Sequence, residues 1–185
     1  MLWPPMDTQF DLPRMLTEYA RRHPEDAQKV GEYRRLAGAG APAYGRGLPG
    51  HFTGSALVLS HDGRRTLLTH HRKLGLWLQP GGHADGDTDL RRVALRESCE
   101  ETGLAGLHIA PDILDLDRHW IPARGDEPGH WHFDVRFLVH ATGSEDYIVS
   151  GESHALAWWP LVEVAGGDFE PSLRRMARRA LALAG

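Results

Sequence analysis

Residues 81–104 read GGHADGDTDLRRVALRESCEETGL, and this stretch decides the fold. Gly81 and Gly82 form a glycine turn, a polar segment and a run with helical spacing follow, and Gly103 suits the position after a helix C-terminus. At about 100° per residue, Leu90, Val93 and Ala94 share one helix face, and Glu97, Glu100 and Glu101 extend it. A merely solvated acidic patch would lie opposite the apolar stripe. Here like charges within one turn repel by about a few tenths of a kcal/mol per pair, and the negative end of the helix dipole adds to the conflict. A cation resolves it. Oxygen donors so arranged suit a hard divalent ion, Mg²⁺ above all, which is held by a few carboxylates together with waters and substrate phosphates.

Upstream, Phe52–Ser60 and Thr66–His70 read as strands joined at Asp62-Gly63, which predicts a hairpin. Leu76–Gln79 is a further short strand that leads through Pro80 to the glycines. Downstream, Leu107–Trp120 and Trp131–His140 read as long strands around a loop at Ile121–His130, and Ala155–Pro160 as another extended segment. Pro171–Ala184 places Leu173, Met176, Ala177, Ala180 and Leu181 on one face, as a closing amphipathic helix does. The first 50 residues carry an irregular start, two short helical patterns (Pro13–Arg22 and Pro24–Leu36) and a Gly/Ala/Pro-rich linker, Gly38–Gly50. Strands separated by one central and one terminal helix imply an α/β fold with a mixed sheet packed by helices. The expected organisation is a helical extension and linker over residues 1–50 and a main domain over residues 51–185.

With 185 residues the chain can bury one substantial core. A net charge of -4 gives no global basic surface, which argues against a nucleic-acid partner. The longest apolar runs, Ser55–Ser60 and Leu156–Pro160, are far too short to span a bilayer, and the N-terminus lacks a basic region followed by an apolar one. The expectation is a cytoplasmic protein with no membrane partner. The single cysteine, Cys99, has no intramolecular disulfide partner, and neighbouring glutamates would raise its pKa, so it reads as helix filler rather than a nucleophile.

Spacing removes two competing motifs. Asp85, Asp87 and Asp89 mimic the first ligands of an EF-hand loop, but Leu90 stands where its glycine belongs and Arg96 where its bidentate glutamate belongs. The glycines are not followed by the Gly-Lys-Ser/Thr of a P-loop, and no His-Glu-x-x-His occurs. The stretch does resemble the signature of the Nudix hydrolase family, G-x5-E-x7-R-E-U-x-E-E-x-G-U with U bulky and apolar. Gly82, Arg96, Glu97, Glu100, Glu101, Gly103 and Leu104 carry the match, with Gln79-Pro80-Gly81 as its lead-in. Thr88 stands where the family has its first glutamate, and Ser98 where it has an apolar residue.

The resemblance implies an α/β/α sandwich and a Mg²⁺-dependent hydrolase, with Mn²⁺ as the alternative ion, acting on a small-molecule diphosphate, in the first instance a nucleotide. It assigns metal binding to Glu97, Glu100 and Glu101, helped by the Gly82 carbonyl, and a supporting role to Arg96. With Thr88 in place of the glutamate, Arg96 has Asp87, Asp89 or Glu97 as partners. The base is Glu100 or Glu101, or Glu152 from a later loop. Relatives in the family are often homodimers. Two other readings keep the fold: a hydrolase of non-nucleotide diphosphates, and a ligand sensor or interaction module. His83 lies beside the expected phosphate position, and Lys73 precedes the strand that leads into the site. His130, His132 and Asp134 alternate on a strand and so share a face, compatible with phosphate contact or a side metal site. His83, His132, Asp134 and Lys73 are therefore the candidate substrate-binding residues.

Overall fold

The computed structural model describes residues 9–47, 49–125, 128–151 and 153–184. Helix α1 (Leu12–Arg22) is started by Asp11, whose carboxylate accepts the Arg14 N–H, and by Pro13 in its first turn. A 3-10 turn at Pro24–Asp26 precedes α2 (Ala27–Ala37). Then follow β1 (Gly50–Leu59), β2 (Arg65–His71), β3 (Trp77–Leu78), β4 (Gly81–His83), α3 (Leu90–Thr102), β5 (Leu107–Ile121), β6 (His130–Ala141), β7 (Ser153–Pro160), α4 (Leu161–Gly166) and α5 (Pro171–Ala184).

The strands form one mixed sheet in the order β3-β2-β1-β6-β5, with β4 also pairing β1 and β7 pairing β2. Its centre is the parallel pair β1 and β6, in register from Gly50 opposite Trp131 to Leu59 opposite His140. The other pairs are antiparallel. Because side chains alternate along a strand, β1 feeds two cores. Phe52, Ala56 and Val58 join a core closed by α1, α2 and α3, whereas Leu57 and Leu59 join one closed by α4 and α5. The result is an α/β/α sandwich.

The N-terminal helices are part of that packing. Leu12, Met15, Leu16, Tyr19, Val30 and Tyr33 lie in the same core as Val93, Ala94, Leu116 and Val135. Ions reinforce the junction. Asp115, fully buried, meets Arg136, Arg175 and Arg179; Arg179 also pairs with Asp26 at 2.8 Å, and Arg175 with Asp117 at 2.9 Å. This network ties the start of α2 to β5, β6 and α5.

Three features depart from the sequence pattern. Gly81 and Gly82, which read as a turn, are extended strand paired with β1, Gly82 opposite Gly54 and Gly81 opposite Ser55. Their glycine identity reflects close approach, since a Cβ on Gly81 would collide with Ser55. The actual turn comes later, at Asp85 and Gly86, which have positive φ. The linker contains a 3-10 turn, Ala41–Tyr44, with Ala43 buried and the Tyr44 carbonyl accepting the Gly86 N–H. Helix α4 follows β7 directly, held by buried Leu161, Val164 and Ala165. Among the described residues, no helix is long and apolar enough to cross a membrane.

Two outcomes follow from this packing. A Cβ at Gly54 would lie 2.8 Å from the Leu90 carbonyl and 3.1 Å from Val93, so Gly54→Ala should lower stability by about 1–3 kcal/mol in urea denaturation. Burial raises the Asp26 pKa, but hydrogen bonds from Arg179, Lys29 and Tyr19 outweigh it and hold the carboxyl below its ordinary range. A depressed carboxyl stabilises the fold above its unfolded pKa of about 3.9 and loses that contribution as pH falls below it. Asp26→Asn should therefore lower the melting temperature at neutral pH, with the gap to wild type narrowing as the scan is moved into the acid range.

Candidate active site

Helix α3 carries the carboxylates. Asp89 caps it by accepting the Arg91 N–H, and Gly103, at φ 69°, ends it with its N–H on the Cys99 carbonyl. The buried residues are Leu90, Val93 and Ala94 in the first half and Ser98 and Thr102 in the second, with Arg91. The sheet-facing stripe continues from Leu90, Val93 and Ala94 into Glu97 and Glu101, which reach β4, and Ser98 and Thr102 are buried beside it. Ser98 fits an apolar position because its hydroxyl donates to the Ala94 carbonyl at 2.7 Å, and Thr102 does the same to Ser98. Glu97 and Glu101 sit half-buried against β4, and Glu100 is exposed.

The contacts with β4 are close. The Gly81 N–H donates to Glu101 Oε1 at 2.9 Å. A Cβ on Gly82 would lie 2.5 Å from the Glu97 carboxyl carbon, so only glycine leaves room for that carboxylate. Arg96 donates to Glu97 Oε1 at 2.8 Å and to the His83 carbonyl at 3.0 Å, and its Nε lies 3.9 Å from Glu100. Of its three candidate partners Arg96 takes Glu97. Asp87 pairs with Arg92 at 2.6 Å and Asp89 with Arg91 at 3.1 Å. Thr88 lines a groove with Phe10, Asp11, Leu12 and Tyr44. The position where the family has a glutamate thus faces the N-terminal extension.

This donor set fits a hard divalent cation: three carboxylates within five residues, two of them drawn onto a backbone that lacks side chains. Cys99 is unsuited to nucleophilic chemistry, since burial and then the Glu100 charge raise its pKa.

The remaining candidates scatter. Lys73 is exposed on the turn after β2, its N–H donating to His71 Nδ1. Asp134 is buried; it accepts from Thr53 at 2.9 Å, Ser55 at 2.7 Å and Arg136 at 2.7 Å, which occupies it in a core network on the face that His132 begins. Glu152 lies outside the described residues. His83 follows Gly82 on a strand, so its ring projects to the side of β4 opposite Glu97. There it meets His51, His130 and His132, each offering a ring nitrogen within 4.8 Å of the others. Burial and the neighbouring imidazoles push the His132 pKa down to about 2, so this ring brings no positive charge to a phosphate at neutral pH.

His51 is the member of this group that sequence reasoning missed. Its signal was the alternation His51, Thr53, Ser55, but only the parallel register that sets His51 opposite His132 gives it meaning.

A mixed sheet between helices, with a glutamate-bearing helix docked on a glycine strand, defines a hydrolase of the Nudix type. The NUDIX domain model matches residues 51–180, and the chain belongs to the Nudix hydrolase family. Solved structures agree in fold. An Ap4A hydrolase from C. elegans in a binary complex is 20% identical, with a TM-score of 0.59 over 72% of this chain and 96% of that one. A MutT NUDIX hydrolase from Burkholderia pseudomallei is 25% identical, with a TM-score of 0.56 over 70% of this chain and 97% of that one. The NUDIX domain of Shewanella oneidensis NrtR complexed with ADP ribose is 20% identical, with a TM-score of 0.51 over 72% and 88%. No curated protein matches the chain.

The tightest contact yields a direct test. Gly82→Ala should displace the Glu97 carboxylate and depress hydrolase activity at least about tenfold, since misplacement by about 1 Å is expected to cost up to 10²-fold. Circular dichroism should be unchanged.

Proposed function

We propose that this chain is a metal-dependent hydrolase that cleaves the diphosphate linkage of a nucleoside diphosphate derivative by attack of water at phosphorus. The observation that carries this reading is the pair Glu97 and Glu101, drawn against the Gly81–Gly82 backbone with Arg96 bonded to Glu97. Glu97, Glu100, Glu101 and the Gly82 carbonyl would hold the cation. When bound, a divalent cation neutralises charge on the phosphate oxygens and lowers the pKa of a water molecule.

The side chains divide the remaining work. Glu97 is oriented by Arg96, and Glu101 by the Gly81 N–H. Glu100, the most exposed of the three and held among the described residues only by a 3.9 Å contact with Arg96 Nε, is our choice to take the proton from the attacking water. Arg96, anchored on the His83 carbonyl, joins α3 to β4 and takes over the positioning that the family's first glutamate supplies. Its partnership with Glu97 supports an active enzyme despite Thr88. A nucleotide substrate is supported by the relatives described with Ap4A and with ADP ribose in the same fold. Within this reading residues 51–185 are the hydrolase domain and residues 1–50 an extension, whose helices α1 and α2 pack on its core.

A panel of dinucleoside polyphosphates, ADP-ribose, nucleotide sugars and nucleoside triphosphates, assayed with Mg²⁺ and with Mn²⁺, tests the proposal. Turnover of at least one, abolished in Glu100→Gln and Glu101→Gln, is the expected result. Both variants should fold, with stability without metal equal to or slightly above wild type as repulsion between the glutamates is relieved. Wild-type rates in either variant, or no hydrolysis of any diphosphate by the wild type, would refute it.

A further inference from the structure

On the face of β4 away from α3, four histidines from three strands converge: His51 from β1, His83 from β4, and His130 and His132 from β6. Strand register brings them together. His51 lies opposite His132 in the parallel pair, His83 opposite Thr53 in the antiparallel one, and His130 precedes His132 by two residues and so shares its face. His51 and His130 are buried, His83 and His132 half-buried.

The nitrogen geometry is hard to explain as ordinary ring packing. His132 Nε2 lies 3.1 Å from His83 Nε2 and 3.1 Å from His130 Nε2. A neutral imidazole nitrogen carries either one hydrogen or one lone pair, so His132 Nε2 completes at most one linear hydrogen bond with the two. His130 is further constrained. Its Nδ1 lies 2.9 Å from the Pro128 carbonyl, which can only accept, so the ring hydrogen is on Nδ1 and the Nε2 lone pair points into the cluster. A carbonyl that fixes the tautomer in this way is the usual outer support of a metal-binding histidine. The spacing also fits. With Zn–N bonds of 2.0–2.1 Å, the nitrogens of a tetrahedral site stand about 3.3 Å apart, close to these two contacts, and the four nitrogens, His51 included, all lie within 4.8 Å of one another.

We propose that His51, His83, His130 and His132 form a second metal site, distinct from the carboxylates, that binds Zn²⁺ through four imidazole nitrogens. All-nitrogen, uncharged donors select a borderline first-row ion over Mg²⁺. Four protein ligands close a tetrahedral shell, so the site is structural. It staples β1, β4 and β6 together next to Gly82, and thereby holds the strand against which Glu97 and Glu101 lie. It does not depend on the hydrolase reading.

The test is zinc content of the full chain after incubation with Zn²⁺ in excess Mg²⁺ and desalting. One zinc per chain should be retained by the wild type and by the Glu97→Gln/Glu101→Gln double variant, and lost from His51→Gln/His132→Gln. Co²⁺ added to metal-free wild type should give the intense visible bands of a tetrahedral ion, a readout that needs no variant to fold. A folded wild type that retains no zinc, zinc lost with the glutamates instead of the histidines, or a weak six-coordinate Co²⁺ spectrum would each overturn the proposal.

Discussion

The carboxylate of Glu97 lies where any side chain at residue 82 would need to be. That exclusion keeps the carboxylate against the β4 backbone, and the neighbouring glycines serve the same close packing. Gly81 removes a clash with Ser55, and Gly54 removes one with the Leu90 carbonyl and Val93. Gly54 and Gly82 therefore let the helix close onto the sheet, and Gly81 lets β4 approach β1. Close contact is what turns a helix with repelling glutamates into a concentrated anionic site, because the Gly81 N–H and Arg96 then have carboxylates to meet.

Arg96 shows how the family pattern tolerates a change. Its guanidinium bridges Glu97 and the His83 carbonyl, contacts that come from the next residue and from β4. Neither needs residue 88. Thr88, released from that duty, faces Phe10 and Leu12, in a part of the chain that the Nudix match over 51–180 does not include. The extension is in turn anchored from below by Tyr33, whose hydroxyl lies 2.7 Å from the Asp117 carbonyl and 2.9 Å from that of Asp134, and by Arg179, shared between Asp26 and Asp115. Buried ion pairs of this kind add little net stability, because desolvation offsets attraction, but removing one partner leaves a charge stranded. They fix which surfaces meet more than how tightly.

The elements most legible in the sequence were those whose determinants are local. The β1–β2 hairpin, α3 and α5 follow from turn chemistry and periodicity within each segment. Local sequence is least informative where another part of the chain supplies the cause. Gly81-Gly82 looks like a turn until Ser55 and Glu97 are placed beside it. Glu97 and Glu101 continue the sheet-facing stripe of α3, but that the strand they meet is β4 is not written in the helix itself. Asp134 alternates with His132 as a site residue would, yet Thr53, Ser55 and Arg136 hold it inside.

By itself, then, the sequence determined the carboxylate helix: Arg96, Glu97, Glu100 and Glu101 are near neighbours in the chain, so helical geometry alone brings them together. The partner of Arg96, the extended form of the glycines and the meeting of His51, His83, His130 and His132 were decided only by tertiary structure. Those histidines span 82 residues of chain and are gathered by the parallel register of β1 with β6 and the antiparallel one of β1 with β4. Such a register depends on how the whole sheet packs between its two helical layers, and no local run of residues encodes it.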